Sequence, residues 1–178
     1  MRRLSGVVAS LALAGQVAAE PAYDAFAKVC GDSHMDYATV AKLANSDGWK
    51  AQTVVGETMD KVTISDKLSR GETVGGQDLT LLAWQGAAKG GTHVTACTVR
   101  ISHPNFAKLR AAAEVWAGFA PQTSAARRAS FQFSDTDGVR HAVAAGDANA
   151  AAAGSGLEIM TVWLDPNGAV LDLLKIKK

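Results

Sequence analysis

The chain has 178 residues, with 18 Lys and Arg against 17 Asp and Glu and a formal net charge of +1 at pH 7. This length fits one domain with a hydrophobic core of its own. Binding to nucleic acid or to an anionic membrane surface demands an excess of Lys and Arg, and this composition has none. We therefore expect neither partner.

Residues 1–19 have the composition of a cleaved signal peptide. Two arginines precede an apolar run, which ends in small residues at Ala19. A basic start, an apolar stretch of about 7–15 residues and a small-residue exit are typical of secretory signals, by the ordinary or the twin-arginine route. A membrane anchor needs about 20 apolar residues, and no later segment is long enough to provide them. The sequence predicts an exported, single-domain protein over 20–178, periplasmic or secreted, with a formal charge of −1 once both arginines are removed.

Cys30 and Cys97 are the two cysteines of the chain, and both follow the leader. An even number of cysteines in an exported protein favours a disulfide. The alternative is a redox-active or nucleophilic thiol. Neither cysteine lies in a Cys-x-x-Cys motif or in a local sequence typical of a catalytic thiol. We predict a structural bridge.

Helical spacing dominates the first part of the predicted domain. Tyr23, Phe26 and Cys30 fall on one apolar stripe, and Gly48 is a plausible end for a second helix. The segment from Ser33 to Asp36 has the Ser-x-x-Asp form of a reciprocal helix cap. We expect an N-terminal helical pair. Residues 51–76 suit a helix or a strand, and the glycine-rich segment 70–77 predicts a loop.

The rest of the chain alternates like a sheet. Residues 79–84 and 92–101 read as two strands joined by a glycine-rich loop over 86–91, and the alternation turns Cys97 inward, toward the helix that carries Cys30. Residues 129–143 and 157–175 predict two further hairpins. Pro104 begins the best amphipathic helix. Residues 142–156 suit a short helix or an irregular connection, and the three lysines after residue 174 suit a frayed tail.

These elements define the expected fold class. It is an α+β domain with an N-terminal helical pair, a mainly antiparallel sheet, one amphipathic helix packed on a face and a single disulfide.

Residues typical of catalysis are scattered along the sequence. Of the four histidines, His93 and His141 lie on predicted strands and would form a site if they met across the sheet; ordinary surface histidines are the alternative. The segment from Asp135 to Gly138 resembles the start of a calcium loop but lacks the distal glutamate. Ser155 lies between glycines without the Gly-x-Ser-x-Gly pattern. The sequence therefore predicts no catalytic residue, no metal site and no cofactor.

Tryptophan supplies the remaining candidates. Trp49 and Trp84 adjoin glycine-rich segments and are the best candidates for exposed binding residues, because tryptophan is common at interface hot spots. Core packing is the alternative for both. Trp116 and Trp163 lie on apolar faces and are expected in the core.

We expect a non-catalytic binding, inhibitory or accessory protein that recognises a protein partner outside the cytoplasm. A second hypothesis is a small hydrolase whose site combines His93, His141 and nearby carboxylates. A third is a carrier that holds an apolar ligand between helix and sheet. A polar pocket with a strongly shifted pKa would favour the hydrolase, and a large empty apolar cavity would favour the carrier.

Overall fold

The computed structural model describes residues 20–53 and 61–178. The predicted signal peptide, residues 1–19, and the segment 54–60 lie outside the described residues. The helical segments are α1 (Pro21–Phe26), continued by a π-helical turn (Ala27–Gly31), α2 (Tyr37–Ser46), α3 (Phe106–Ala117), a 3-10 turn (Ala145–Asp147) and α4 (Ala148–Ala153). The strands are β1 (Lys50–Ala51), β2 (Val62–Val74), β3 (Gln77–Ala88), β4 (His93–Ile101), β5 (Thr123–Ala125), β6 (Arg128–Thr136), β7 (Val139–Ala142), β8 (Leu157–Asp165) and β9 (Gly168–Lys177).

The nine strands form one antiparallel sheet in the order β1-β2-β3-β4-β9-β8-β6-β5, and β7 also pairs with β6. Among the described residues, five hairpins connect consecutive strands: β2–β3, β3–β4, β5–β6, β6–β7 and β8–β9. β9 also pairs with β4, so it lies between β4 and β8. The predicted α+β class with a mainly antiparallel sheet is confirmed.

The main core lies on the side of the sheet that α1, α2 and α3 cover, called here the helix side. Its largest fully buried side chains come from helices and strands alike: Phe26, Phe131, Phe133, Leu79, Leu81, Ile101, Leu109, Met160, Leu171 and Leu173. The opposite side carries two smaller apolar clusters. One of them packs beneath α4, which rests on Leu157, Ile159 and Ile176.

The disulfide joins the two layers of the main core. Cys30, in the π-helical turn, bonds to Cys97 on β4, with 5.6 Å between their α-carbons. Both cysteines have no exposed surface. Because Cys97 shares its face with Val99 and Ile101, the bridge ties the first helical segment to the centre of the sheet, as predicted.

The start of α2 differs from the expected reciprocal cap. Asp36 is the capping residue, and its carboxylate accepts hydrogen bonds from the Thr39 amide at 2.8 Å and the Thr39 hydroxyl at 2.7 Å. Ser33 instead donates to the Cys30 carbonyl at 2.7 Å and accepts from the Met35 amide. The serine therefore closes the preceding turn rather than the helix.

The predicted loop over 70–77 is wrong, because β2 continues to Val74 and the turn contains two residues only. Gly75 and Gly76 have φ angles of +58° and +80°, the combination that a two-residue hairpin turn requires. Gly71 lies within β2, and its lack of a side chain leaves room for Gln52, whose side chain lies where a β-carbon would stand. The predicted loop over 86–91 is likewise shorter, since β3 extends to Ala88.

The carboxyl end of the chain is not a frayed tail. β9 continues to Lys177 beside β4, and the Lys178 amide donates to the Ala152 carbonyl at 2.9 Å. Within residues 20–53 and 61–178, no helix has the length and apolar character that crossing a membrane requires.

Candidate functional site

A β-bulge interrupts β2 where this strand leaves the main core. Ile64 pairs with Gly86 and Asp66 pairs with Gln85, so Ser65 is the extra residue of β2. A bulge re-aims side chains, and bulges are common next to functional sites. Here the bulge turns the Asp66 side chain toward the helix side. In a regular strand, this side chain would lie on the same side of the sheet as that of Ile64.

The bulge forms one wall of an open cleft of about 410 Å³, which we call the bulge cleft. Its lining comes from the ends of three neighbouring strands: Thr63, Ser65, Gln85, Gly86, Ala87, His93, Val94 and Thr95. Gly86 is necessary there because a β-carbon would meet the Thr63 carbonyl oxygen. Gln85 and Thr95 are half-buried, whereas Ser65 and His93 are exposed. The floor of the cleft is therefore partly desolvated, and its edges are solvated.

Three side chains at the bulge hold one another in place. Gln85 Nε2 donates to Asp66 Oδ2 at 2.8 Å, and Ser65 Oγ donates to the same oxygen at 2.9 Å. These hydrogen bonds, that of Gln85 foremost, lower the pKa of Asp66 below its ordinary value. Asp66 is therefore ionised at neutral pH, and its carboxylate is fixed with one oxygen already engaged.

A row of polar residues crosses five strands on the helix side at this level. The members are paired neighbours across the sheet: Asp66, Gln85, Thr95, Lys175 and Glu158. The next row inward contains Cys97, so the polar row begins where the apolar core ends. Polar residues placed together in this way offer hydrogen bonds along a line across the sheet.

The far end of the polar row is an ion pair. Lys175 Nζ lies 3.1 Å from Glu158 Oε1, and the glutamate side chain is only 6% exposed. Lys175 Nζ also donates to the His34 carbonyl at 3.1 Å. His34 and Met35 have φ angles of +49° and +57°, which non-glycine residues rarely adopt. Lys175 therefore ties this strained loop before α2 to the sheet.

Tyr37, the first residue of α2, interacts electrostatically with Asp66 at the bulge. Its pKa is raised, first by burial and then by the negative charge of Asp66, while Arg70 opposes the shift. The phenol is therefore neutral and able to donate a hydrogen bond.

The two tryptophans proposed as exposed binding residues are both buried. Trp84 is 3% exposed and Trp49 is 4% exposed. The prediction assumed that the face of β3 opposite Leu81 is solvated, but that face carries its own apolar cluster, in which Trp84 packs with Leu82 and Ala96. The prediction that both residues are exposed is therefore wrong. Their role in binding stays a prediction.

Trp49 is buried because the chain reverses at Gly48 and returns onto α2. Gly48 has a φ of +86°, and the Trp49 amide donates to the Ala44 carbonyl at 3.0 Å. The indole enters the main core, and it also lines an open cleft of about 390 Å³ beside Lys28 and Asp47. Trp116 and Trp163, expected in the core, are both partly buried, and Trp116 packs against the main core with its ring at Phe133.

His93 and His141 do not meet. His93 begins β4 and His141 lies on β7, and three strands, β9, β8 and β6, separate β4 from β7. The combined site of the hydrolase hypothesis is therefore not assembled from this pair. Within the described part of the chain, no group of three or more His, Cys, Asp or Glu side chains converges as metal ligands would.

The exposed face of α3 forms a second open surface. Val115 is 67% exposed and, with Phe119 and Ala111, lines an open cleft of about 460 Å³. Val139 on β7 is 55% exposed. Its neighbour Arg140 donates to the Trp116 carbonyl at 3.0 Å and lies 3.5 Å from the centre of the Trp116 ring, so β7 adjoins the end of this helix.

Sequence reasoning missed Ser65, Asp66, Gln85 and Thr95. Each is an ordinary polar residue in a strand, and nothing in the local spacing distinguishes it. The sequence of β2 contains one signal of the bulge. In a regular strand, the even-numbered Val62, Ile64 and Leu68 would share one side of the sheet, but Leu68 lies on the side opposite to Val62 and Ile64. Comparison with protein-family models, with curated proteins and with solved structures finds no match to this chain.

Proposed function

We propose that this chain is an exported, non-catalytic binding protein that recognises a protein partner at the bulge cleft. The observation that carries the proposal is the fixed carboxylate of Asp66, held by Ser65 and Gln85 at a β-bulge. Interfaces combine a partly desolvated centre with a polar rim, and pre-ordered groups lose little side-chain entropy on binding. The bulge cleft has both properties.

Export is supported by two observations. The leader has the pattern of a secretory signal, and the Cys30–Cys97 bridge is the kind of bond that persists in oxidising compartments. The predicted mature chain starts at Glu20, which is the capping residue of α1, and α1 itself starts with Pro21, so its first turn does not depend on the leader.

Neither alternative function gains support from the geometry. The hydrolase hypothesis relied on His93 and His141, and three strands lie between the strands that carry them. The carrier hypothesis requires space between helices and sheet, yet Phe26, Leu109 and Phe131 fill that space with no exposed surface. A specific observation favours neither.

Affinity capture with matched variants tests the proposal. The mature protein and Asp66→Ala/Gln85→Ala would be immobilised and exposed to proteins of their own cell envelope or medium. The control is Thr73→Ala/Asp78→Ala, which removes a similar hydrogen bond of 2.9 Å from the other end of the same hairpin. We expect the control and the unmodified protein to retain one partner that the cleft variant loses.

The partner should also be recovered with unchanged mass after incubation. A cleaved or otherwise altered partner would contradict a non-catalytic role. Equal capture by the cleft variant would contradict the assignment of the site.

A further inference from the structure

Four positively chargeable residues lie together at one end of the sheet, and we call them the basic rim. Lys61 precedes β2, Lys89 follows β3, His93 begins β4 and Lys177 ends β9. The pairing of Val62 with Ala88 and of His93 with both Ala87 and Lys177 brings these four strand ends together. All four residues are exposed. The rim is continuous with the bulge cleft, because His93 belongs to both.

The basic rim is not neutralised by the described part of the protein. None of its four side chains has an ion pair or hydrogen bond with another described residue, whereas neighbouring Lys175 is paired with Glu158 and Lys178 donates to Asn149. His93 and Lys177 are directly opposite on adjacent strands, so two basic side chains lie next to each other at this edge. Among the described residues, this grouping leaves a local excess of basic side chains that an acidic ligand would complement.

We infer that the basic rim recognises an acidic segment of the protein partner, in extended conformation, which runs across the strand ends. This inference rests on the proposed function and names the chemistry of its ligand. β2, β3, β4 and β9 are consecutive in the sheet, so the rim is three strand spacings wide, about 14 Å. An extended chain advances about 3.3–3.6 Å per residue, so about four to five residues span the rim.

The width and shape of the surface favour a peptide over a membrane or a nucleic acid. A membrane surface engages clusters of roughly 4–8 Lys and Arg on one exposed face, and the rim has three lysines and a histidine beside a concave cleft. A nucleic acid would require a positive surface that follows its phosphates. A peptide can place acidic side chains on the rim and extend one neighbouring side chain into the bulge cleft.

The test measures binding of a fluorescein-labelled hexaglutamate peptide to the mature protein by fluorescence anisotropy at low and high salt. Lys89→Glu/Lys177→Glu reverses two charges of the rim. Lys108→Glu/Arg127→Glu makes the same change in net charge at exposed positions on α3 and before β6. We expect the rim variant to bind about tenfold more weakly than both the unmodified protein and the control, with the difference shrinking at high salt. Equal affinity of the rim variant and the control would overturn the inference.

Two further titrations compare the acidic peptide with other negatively charged ligands. Vesicles of anionic phospholipid and a short DNA duplex are titrated in the same buffer. Tighter binding to either of them than to the peptide would overturn the inference. Capture of the natural partner tests this inference separately from the proposed function. If the partner is lost from Asp66→Ala/Gln85→Ala but kept by the rim variant, the acidic segment is refuted and the binding function stands. If both variants keep the partner, both proposals fail.

Discussion

The side chains of Trp84 and Gln85 leave β3 on opposite sides of the sheet. Trp84 packs in an apolar cluster on the side away from the main core, and Gln85 lies in the floor of the bulge cleft. The two residues are neighbours in the chain, so the alternation of the strand gives one a structural environment and the other a place in the candidate site.

Trp84 is therefore expected to support the fold. Replacing a fully packed tryptophan with alanine costs about 3–5 kcal/mol of the free energy of unfolding, because it leaves a large cavity. We expect Trp84→Ala to show a loss in this range by urea denaturation. Trp163→Ala, at a partly buried position, is the control and should lose less. An unchanged melting temperature for Trp84→Ala would contradict its burial.

The disulfide is expected to stabilise the fold without contributing to binding. It closes a long loop, with 67 residues of sequence separation between its cysteines. Removal of a native bridge costs about 2–5 kcal/mol, and we expect this loss for Cys30→Ala/Cys97→Ala. Capture of the partner should survive under conditions where the variant is folded. Two thiols that react with a labelling reagent in the native protein would show that the bridge is absent.

The cap of α2 is expected to depend on pH. The hydrogen bonds from Thr39 lower the pKa of Asp36 below its ordinary value, so the capping contribution is present at neutral pH and is lost as the pH falls through the titration of this carboxyl. At neutral pH, Asp36→Ala should cost about 1 kcal/mol of the free energy of unfolding.

The difference in stability between the unmodified protein and Asp36→Ala should therefore shrink below about pH 4. Asn105→Ala is the matched control, because Asn105 caps α3 with an amide that does not ionise and accepts from the Lys108 amide at 3.2 Å. Its effect should persist in acid. A constant difference for Asp36→Ala across this range would contradict the prediction.

The leader is expected to be removed after Ala19. The apolar run ends there in small residues, and α1 begins with Pro21. The intact mass of the protein recovered from outside the cytoplasm should correspond to a chain that starts at Glu20. Recovery of the full-length chain from the membrane fraction would show that the leader is an anchor.

The sequence predicted the parts of the fold that depend on local pattern. The alternation around Cys97, the amphipathic stripe of α3 and the hairpin over 129–143 each have a local signal, and the structure confirms all three. The disulfide followed because the chain has only two cysteines.

What the sequence could not predict depends on contacts between distant segments. Gly71 is typical of a loop in the sequence, because the Gln52 side chain that packs against it is distant in the chain. Trp84 reads as exposed until the second apolar cluster is known. The bulge at Ser65 shifts the alternation of β2 by one residue, and only pairing with Gln85 reveals it. Ser65, Asp66, Gln85 and Thr95 are such residues, so only the structure shows that they lie together. His93, which also lines the bulge cleft, was singled out from the sequence, but for a different site.

The most direct test of the central claim is an NMR titration of the isotopically labelled mature protein with its captured partner. We expect the largest changes in chemical shift at Ser65, Gln85, His93 and Thr95, with little change at Thr73 and Asp78 on the far end of the same hairpin. Changes concentrated instead at Val115 and Phe119 on α3, with the bulge cleft unaffected, would contradict it.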